Sequence, residues 1–274
     1  MPLQERILVG GAPGSGKTYA WLTIARALPE HKFYVIDPDD GVRRVWYGEF
    51  PEVKNIEYYF TPKWFTKDYN TYSTKGPQVI KLEERANQAG VADAWSSIKP
   101  KIKPDDWVIV EHLHLLWSYV QDGFADEVFN KDIGKYFLEV RKTMKAGANR
   151  LEALKGWTDW QVINKLHNDD FVVDVCYGVP SHVFMTTSVS SSGGGKDEDT
   201  EVKAFYGSTG VRFEGQKHNP YRAQSILIFK NEGSGDKRQY LVNTFQKDRS
   251  RGFLENEAWC DFYYDYLVGA AEWS

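Results

Sequence analysis

At 274 residues the chain is long enough to bury one sizeable core, and a single α/β domain over 1–274, with insertions, is the expectation at this length. A formal net charge of −4 excludes a surface that coats a polyanion wholesale, so any contact with nucleic acid must come from a local patch or loop. Its two cysteines, Cys176 and Cys260, lie far apart without metal-ligating neighbours, which excludes a disulfide framework and a zinc site and fits a reducing cytoplasm.

The first predicted element is a strand over Arg6-Ile7-Leu8-Val9. It runs into Gly11-Ala12-Pro13-Gly14-Ser15-Gly16-Lys17-Thr18, which matches G-x-x-x-x-G-K-[ST]. A helix follows, with Ala20, Trp21, Ile24, Ala25 and Leu28 on one face and Pro29 closing it. Glycines 11, 14 and 16 let the backbone turn tightly and aim N–H groups at phosphate oxygens, where the start of a helix adds roughly half a positive charge. The pattern therefore predicts a nucleoside triphosphate site, with Lys17 reaching the β- and γ-phosphates and Thr18 placing its hydroxyl on Mg²⁺.

Lys32-Phe33-Tyr34-Val35-Ile36 reads as a buried parallel strand that empties into the breaker cluster Asp37-Pro38-Asp39-Asp40-Gly41. Residues 51–78 read as irregular and aromatic. Tyr58, Tyr59, Phe60, Trp64, Phe65, Tyr69 and Tyr72 alternate with Lys54, Lys63 and Lys67, a pattern that suits either base stacking or, more commonly, core packing. A helix is expected over Leu82–Ile98, and a strand over Trp107-Val108-Ile109-Val110 that ends in Glu111. Helix then predominates to about Lys165, with Phe137, Val140, Arg141 and Met144 at helical spacing, and Asn164–Asp170 reads as a polar turn.

Phe171–Tyr177 is helix-like, and His182–Thr187 reads as another central strand. Beyond it the composition turns to serine, glycine and alternating charge, so that 188–216 is expected to be a mobile loop. Ala223–Phe229 and Arg238–Phe245 flank a hairpin-like turn at Asn231–Asp236, which predicts an antiparallel edge. No run approaches the ~18 apolar residues of a spanning helix, and no charged segment followed by an apolar one opens the chain. We read a soluble, unprocessed, cytoplasmic protein with no membrane partner.

Phosphoryl transfer to water needs a phosphate cradle, a metal on oxygen ligands, and a group that orients the attacking water. Glu111, at the end of a hydrophobic strand, is the candidate for the Mg²⁺ shell, its alternative being a solvated helix cap. Asp39 is the candidate for water activation, against ordinary turn chemistry for Asp37, Asp39 and Asp40. Thr187, with Ser188, stands where a hydroxyl senses the γ-phosphate or caps backbone groups. His112 and His114 are two apart with no third ligand, so a zinc role is rejected. Lys247-Asp248-Arg249-Ser250-Arg251-Gly252, directly after the strand ending at Phe245, looks like a cationic finger delivered across a subunit interface or a solvated basic turn.

Taken together, GAPGSGKT, YVIDPDDG, VIVEHLHLL, HVFMTTS and the late KDR resemble phage-encoded RecA-like ATPases over most of the chain. That resemblance implies an α/β fold with a RecA-like P-loop NTPase core: a mostly parallel central sheet flanked by helices, with an antiparallel C-terminal edge. It implies ATP and Mg²⁺ as ligands, with Gly11 through Thr18 and Thr187 binding nucleotide, and Thr18 and Glu111 at the metal. Lys17, Asp39 and Glu111 carry the chemistry, and Lys247 and Arg249 match a K-x-R element presented to a neighbour's ATP. Asp39 stands where RecA has Glu, and Glu111 where the usual residue is Asp.

It further implies a homo-oligomer, ring or filament, single-stranded DNA contacted by Ser188–Gln216, and a host cytoplasm as the setting for recombination, annealing or replication. Three alternatives stay open: a DNA-packaging or translocating motor, a small-molecule kinase, which would need clustered arginines and a closing lid, and an assembly module that binds nucleotide with little turnover.

Overall fold

The computed structural model describes residues 4–65, 90–131, 133–145, 158–191, 210–233, 238–248 and 254–270. Its frame is an eight-stranded sheet. The strands are β1 (Arg6–Gly11), β2 (Phe33–Asp37), β3 (Ile56–Phe60), β4 (Trp107–Val110), β5 (His182–Thr187), β8 (Ser225–Glu232), β9 (Gln239–Asp248) and β10 (Glu257–Trp259). They lie in the order β10-β9-β8-β1-β5-β4-β2-β3. From β8 to β3 every neighbouring pair is parallel, whereas β8/β9 and β9/β10 are antiparallel. The remaining strands, β6 (Val189–Ser191) and β7 (Val211–Phe213), form a separate antiparallel pair.

The apolar runs of β1, β2, β4 and β5 are continuous because both faces of the sheet are covered. On one face Ile7, Val9, Phe33, Val35, Trp107, Ile109 and Phe184 pack against α1 (Lys17–Ala27), α2 (Gly41–Glu49) and the C-terminal π-helical segment Tyr263–Ala270. On the other, Leu8, Tyr34, Ile36, Val108, Val110, Val183 and Met185 pack against helices Val91–Ile98 and Leu113–Phe129 and the helical run 165–177. This is the expected fold class, an α/β sheet, mostly parallel, with helices on both faces and an antiparallel C-terminal edge.

Several elements differ from the sequence expectations. Residues 56–60, read as irregular, form the parallel edge strand β3. Its residues are all half-buried, so no alternation of apolar and polar side chains marks the pleat. Asn164–Asp170 is not a turn: the helix Thr158–Asn164 continues as a π-helical stretch over Lys165–Val173 and then helix Asp174–Tyr177. His167 and Phe171 are buried there among Trp64, Trp95 and Trp117. The helix Val91–Ile98 covers the described part of the Leu82–Ile98 expectation, whereas 82–89, like Tyr69 and Tyr72, lies outside the described residues. Helix Ile133–Lys145 forms as spaced, yet it buries Val140 and leaves Phe137 exposed. Strand β9 runs on to Asp248, so Lys247 is a strand residue and not the start of a turn.

Candidate nucleotide site

Every parallel strand delivers its carboxyl end to one edge of the sheet, the edge at which open α/β sheets bind ligands. The register fixes which residues meet there. Val9 pairs with Thr186, and Glu111 and Asp37 continue the row one residue beyond the Val110–Met185 and Ile36–Val110 pairs. Pleat periodicity turns Thr186, Glu111 and Asp37 toward the face that carries α1.

The chain leaves β1 at Gly11 and turns at once, with the Ser15 N–H donating to the Ala12 carbonyl at 3.2 Å. Gly14 and Gly16 have φ of 75° and 93°, a left-handed backbone that only glycine adopts without strain. At Gly16 a side chain is excluded twice, since a Cβ would lie 2.9 Å from the Tyr240 ring and 3.1 Å from that of Trp259. Helix α1 then starts at Lys17 with no side-chain cap and no acid in its first turn. Its leading N–H groups and the positive end of its dipole are therefore available to an anion.

Lys17 is buried, and its Nζ donates to the carbonyls of Gly11 at 2.8 Å and Ala12 at 2.9 Å. Burial pulls its pKa down, while the charges of Glu111 and Asp39 pull the other way. The Ser15 hydroxyl is buried without a hydrogen-bond partner among the described residues. A cavity of about 510 Å³ opens over this loop, a volume suited to a nucleotide-sized ligand. Residues 13–19 form its floor, Arg44, Val45 and Glu49 of α2 one wall, Arg238 and Tyr240 the other, and His112 closes one side.

Glu111 is fully buried beside α1, its Oε1 accepting from Trp21 Nε1 at 2.6 Å and its Oε2 from the Thr186 hydroxyl. Each oxygen retains a further lone pair for a metal-bound water. Asp37, not Asp39, is the buried acid at the end of β2. It accepts from the Val42 N–H at 3.0 Å, the Asp39 N–H at 3.2 Å and the Tyr58 hydroxyl at 2.9 Å. Burial, and then the charge of Glu111, push its pKa up to about 7. Asp39 points outward, its carboxylate 3.3 Å from Nε2 of His112 and accepting from the Gly41 N–H at 3.0 Å. That pairing puts Asp39 at the rim of the cavity, because His112 lines it.

The two hydroxyls that end β5 have different partners, and neither residue is on the cavity lining. Thr187 donates to the Glu214 carbonyl at 3.0 Å and is buried away from the cavity lining. Thr186 instead holds Glu111 and accepts from the His112 N–H at 3.0 Å. The Ser188 N–H donates to Nδ1 of His114 at 3.3 Å, and burial first, then His112 and Lys17, push the His114 pKa down to about 4, so its ring is neutral. Among the described residues no group of three or more His, Cys, Asp or Glu could hold a metal ion.

Lys247 lies at the end of the sheet opposite the phosphate loop. Gly11 pairs with Phe229, which pairs with Val242, whereas Asp248 pairs with Ser225 at the start of β8. Its Nζ is 3.5 Å from the Tyr221 carbonyl. Arg249 is outside the described residues. Sequence reasoning did not find Arg44, Arg238, Tyr240, Trp21 or Thr186.

The residues present suit a magnesium nucleotide. Mg²⁺ on a polyphosphate needs only one or two protein oxygens, and Thr18 on the cavity floor with Glu111 behind it supplies that donor set. The orphaned Ser15 hydroxyl and the uncapped start of α1 await oxygen acceptors.

Two of the solved structures to which the chain is similar are a recombinase and a KaiC-like protein. The RadB recombinase gives a TM-score of 0.42 at 14% identity, covering 93% of this chain and 86% of that one. A KaiC-like protein from the hyperthermophilic archaeon Pyrococcus horikoshii OT3 gives 0.36 at 10% identity, covering 92% and 82%. No protein-family model matches the sequence, and no curated protein does. No helix among the described residues is long and apolar enough to cross a membrane.

Proposed function

We propose that the protein is a RecA-like P-loop ATPase that binds and hydrolyses Mg²⁺-ATP. The observation that carries this reading is the uncapped start of α1, which opens with a buried Lys17 under a nucleotide-sized cavity. In it the loop N–H groups and Lys17 hold the β- and γ-phosphates, and Gly11 through Thr18 fit the phosphate chain. Mg²⁺, reached by the Thr18 hydroxyl and through water by Glu111, offsets phosphate charge when bound. Asp39, held by His112, orients the attacking water and receives its proton.

We further propose a homo-oligomer with Lys247 and Arg249 facing a neighbour's site, and single-stranded DNA as the effector in recombination, annealing or replication. Support for these comes from the sequence resemblance. Lys247 stands at the end of the sheet away from its own phosphate loop, which supports a role at another subunit's nucleotide over one at its own. The test is phosphate release from ATP by the purified protein and by Lys17→Ala, with and without single-stranded DNA, alongside mass determination with nucleotide. Turnover lost in Lys17→Ala supports the site, and equal turnover in both proteins overturns it. DNA that neither stimulates turnover nor binds at low salt overturns the DNA role.

A further inference from the structure

Two arginines stand on opposite walls of the cavity, Arg44 on α2 and Arg238 on the residue that precedes β9. Among the described residues neither guanidinium has an ion-pair or hydrogen-bond partner. The contrast with adjacent Arg43 is informative, since Arg43 is bound by the Asp40 carboxylate and lies over the Tyr58 ring. Arg238 lies one residue before β9 and two before Tyr240. Like Tyr240 it lines the cavity, and the Tyr240 ring lies against Gly16 and stacks on Trp259 at 5.0 Å between centroids. The wall that carries Arg238 is thus anchored to the phosphate loop two residues away. Lys17 meanwhile spends two of its three donors on the loop carbonyls.

A triphosphate carries about four negative charges near neutral pH, more than one lysine, a helix start and one Mg²⁺ offset together. Among the described residues that line the cavity, Glu49 is the one carboxylate, and it stands with three cations, Lys17, Arg44 and Arg238. We infer that Arg44 and Arg238 clamp the polyphosphate of a nucleoside triphosphate from both sides within one subunit, so that tight ATP binding does not wait for a cation from a neighbour. Planar guanidinium groups suit this task because each presents parallel N–H donors to two phosphate oxygens. This inference rests on the nucleotide-site reading above and concerns which residues of that site recognise the anion.

The experiment measures ATP, ADP and AMP binding by the full chain, at protein concentrations below those at which assembly is detected, for the wild type, Lys17→Ala, Arg44→Ala, Arg238→Ala and Arg238→Lys. The inference expects Arg44→Ala and Arg238→Ala each to weaken ATP at least ten-fold while AMP changes less than two-fold, with Arg238→Lys intermediate. Both side chains are exposed or partnerless, so their removal leaves the fold intact, which circular dichroism checks. ATP affinity within two-fold of wild type in both alanine variants overturns the inference and leaves the site standing. ATP binding that develops only on assembly also overturns it. A wild type that fails to bind ATP at any concentration, or binds it as Lys17→Ala does, overturns the site reading itself.

Discussion

The indole N–H of Trp21 donates to Glu111 Oε1 at 2.6 Å, joining the helix that follows the phosphate loop to the acid directly after β4. Trp21 is one turn below Lys17, at i and i+4, so the same helix face presents the lysine to the cavity and the indole to the acid. A displacement of Glu111 is thereby felt at α1, and a displacement of α1 at Glu111.

Trp21→Phe keeps most of the buried ring area and removes only the donor. Glu111, fully buried, then keeps Thr186 alone. The expected cost is about 1–3 kcal/mol, the range for a buried polar group that loses a hydrogen bond. Urea denaturation of the two proteins measures it, and equal midpoints would show that the bond contributes nothing.

Lys17→Met separates binding from folding. Burial lowers the Lys17 pKa, so the folded protein disfavours that charge, and an apolar chain of similar length removes the penalty. The melting temperature without ligand should not fall. Wild type with ATP at a hundred times its dissociation constant should gain about 2.7 kcal/mol, and the variant nothing. Thermal unfolding with and without Mg²⁺-ATP reads both quantities.

Asp37 gives the site a pH dependence whose sign follows from its environment. Its folded pKa is raised to about 7 from the model-compound value of 3.8, by burial and by Glu111. The stabilising contribution is therefore complete below pH ~4, where both states are protonated, and is lost as the pH rises to and through ~7, where the folded state resists ionisation. Asp37→Asn cannot ionise. Its stability should fall less than that of wild type between pH 5 and 8, as thermal melts across that range would show. Parallel curves for the two proteins would place the shift elsewhere.

The sequence showed most clearly those features that need particular residues at fixed spacing. Gly14 and Gly16 with left-handed backbone, and Lys17 beginning a helix, follow from the loop motif alone. Continuous apolar runs marked β1, β2, β4 and β5 because parallel strands are buried on both faces. Less legible was anything decided by register. Asp37 and Asp39 read alike in a breaker cluster, and Thr186 and Thr187 are interchangeable as letters. Pairing with β1 and β4 turns one of each pair toward α1. Arg44 and Arg238 come from distant segments and meet only because α2 and β9 flank the same loop. Strand β3 was hidden for a different reason, since all its residues are half-buried and its polar groups are spent on neighbours, as when the Tyr58 hydroxyl donates to Asp37 and Asp40.

Gly10, next to the loop but outside its motif, connects β1 with the small β6/β7 sheet. A Cβ there would penetrate the Phe213 ring and lie 2.8 Å from a methyl of Val189, so the two strands close over β1 because position 10 has no side chain. Phe213 cannot simply retreat, being buried with its ring edge-to-face against Phe245 at 5.2 Å. Gly10→Ala should gain roughly 0.4–1 kcal/mol from a stiffer unfolded chain. Overpacking typically costs about 1–3 kcal/mol, so the net effect is destabilising. Phe213→Leu makes room for the added methyl. In that background Gly10→Ala should cost less, by an interaction energy of at least ~0.5 kcal/mol in a double-mutant cycle of urea denaturation. If the cost is the same in both backgrounds, the β6/β7 sheet does not rest on β1 through this contact.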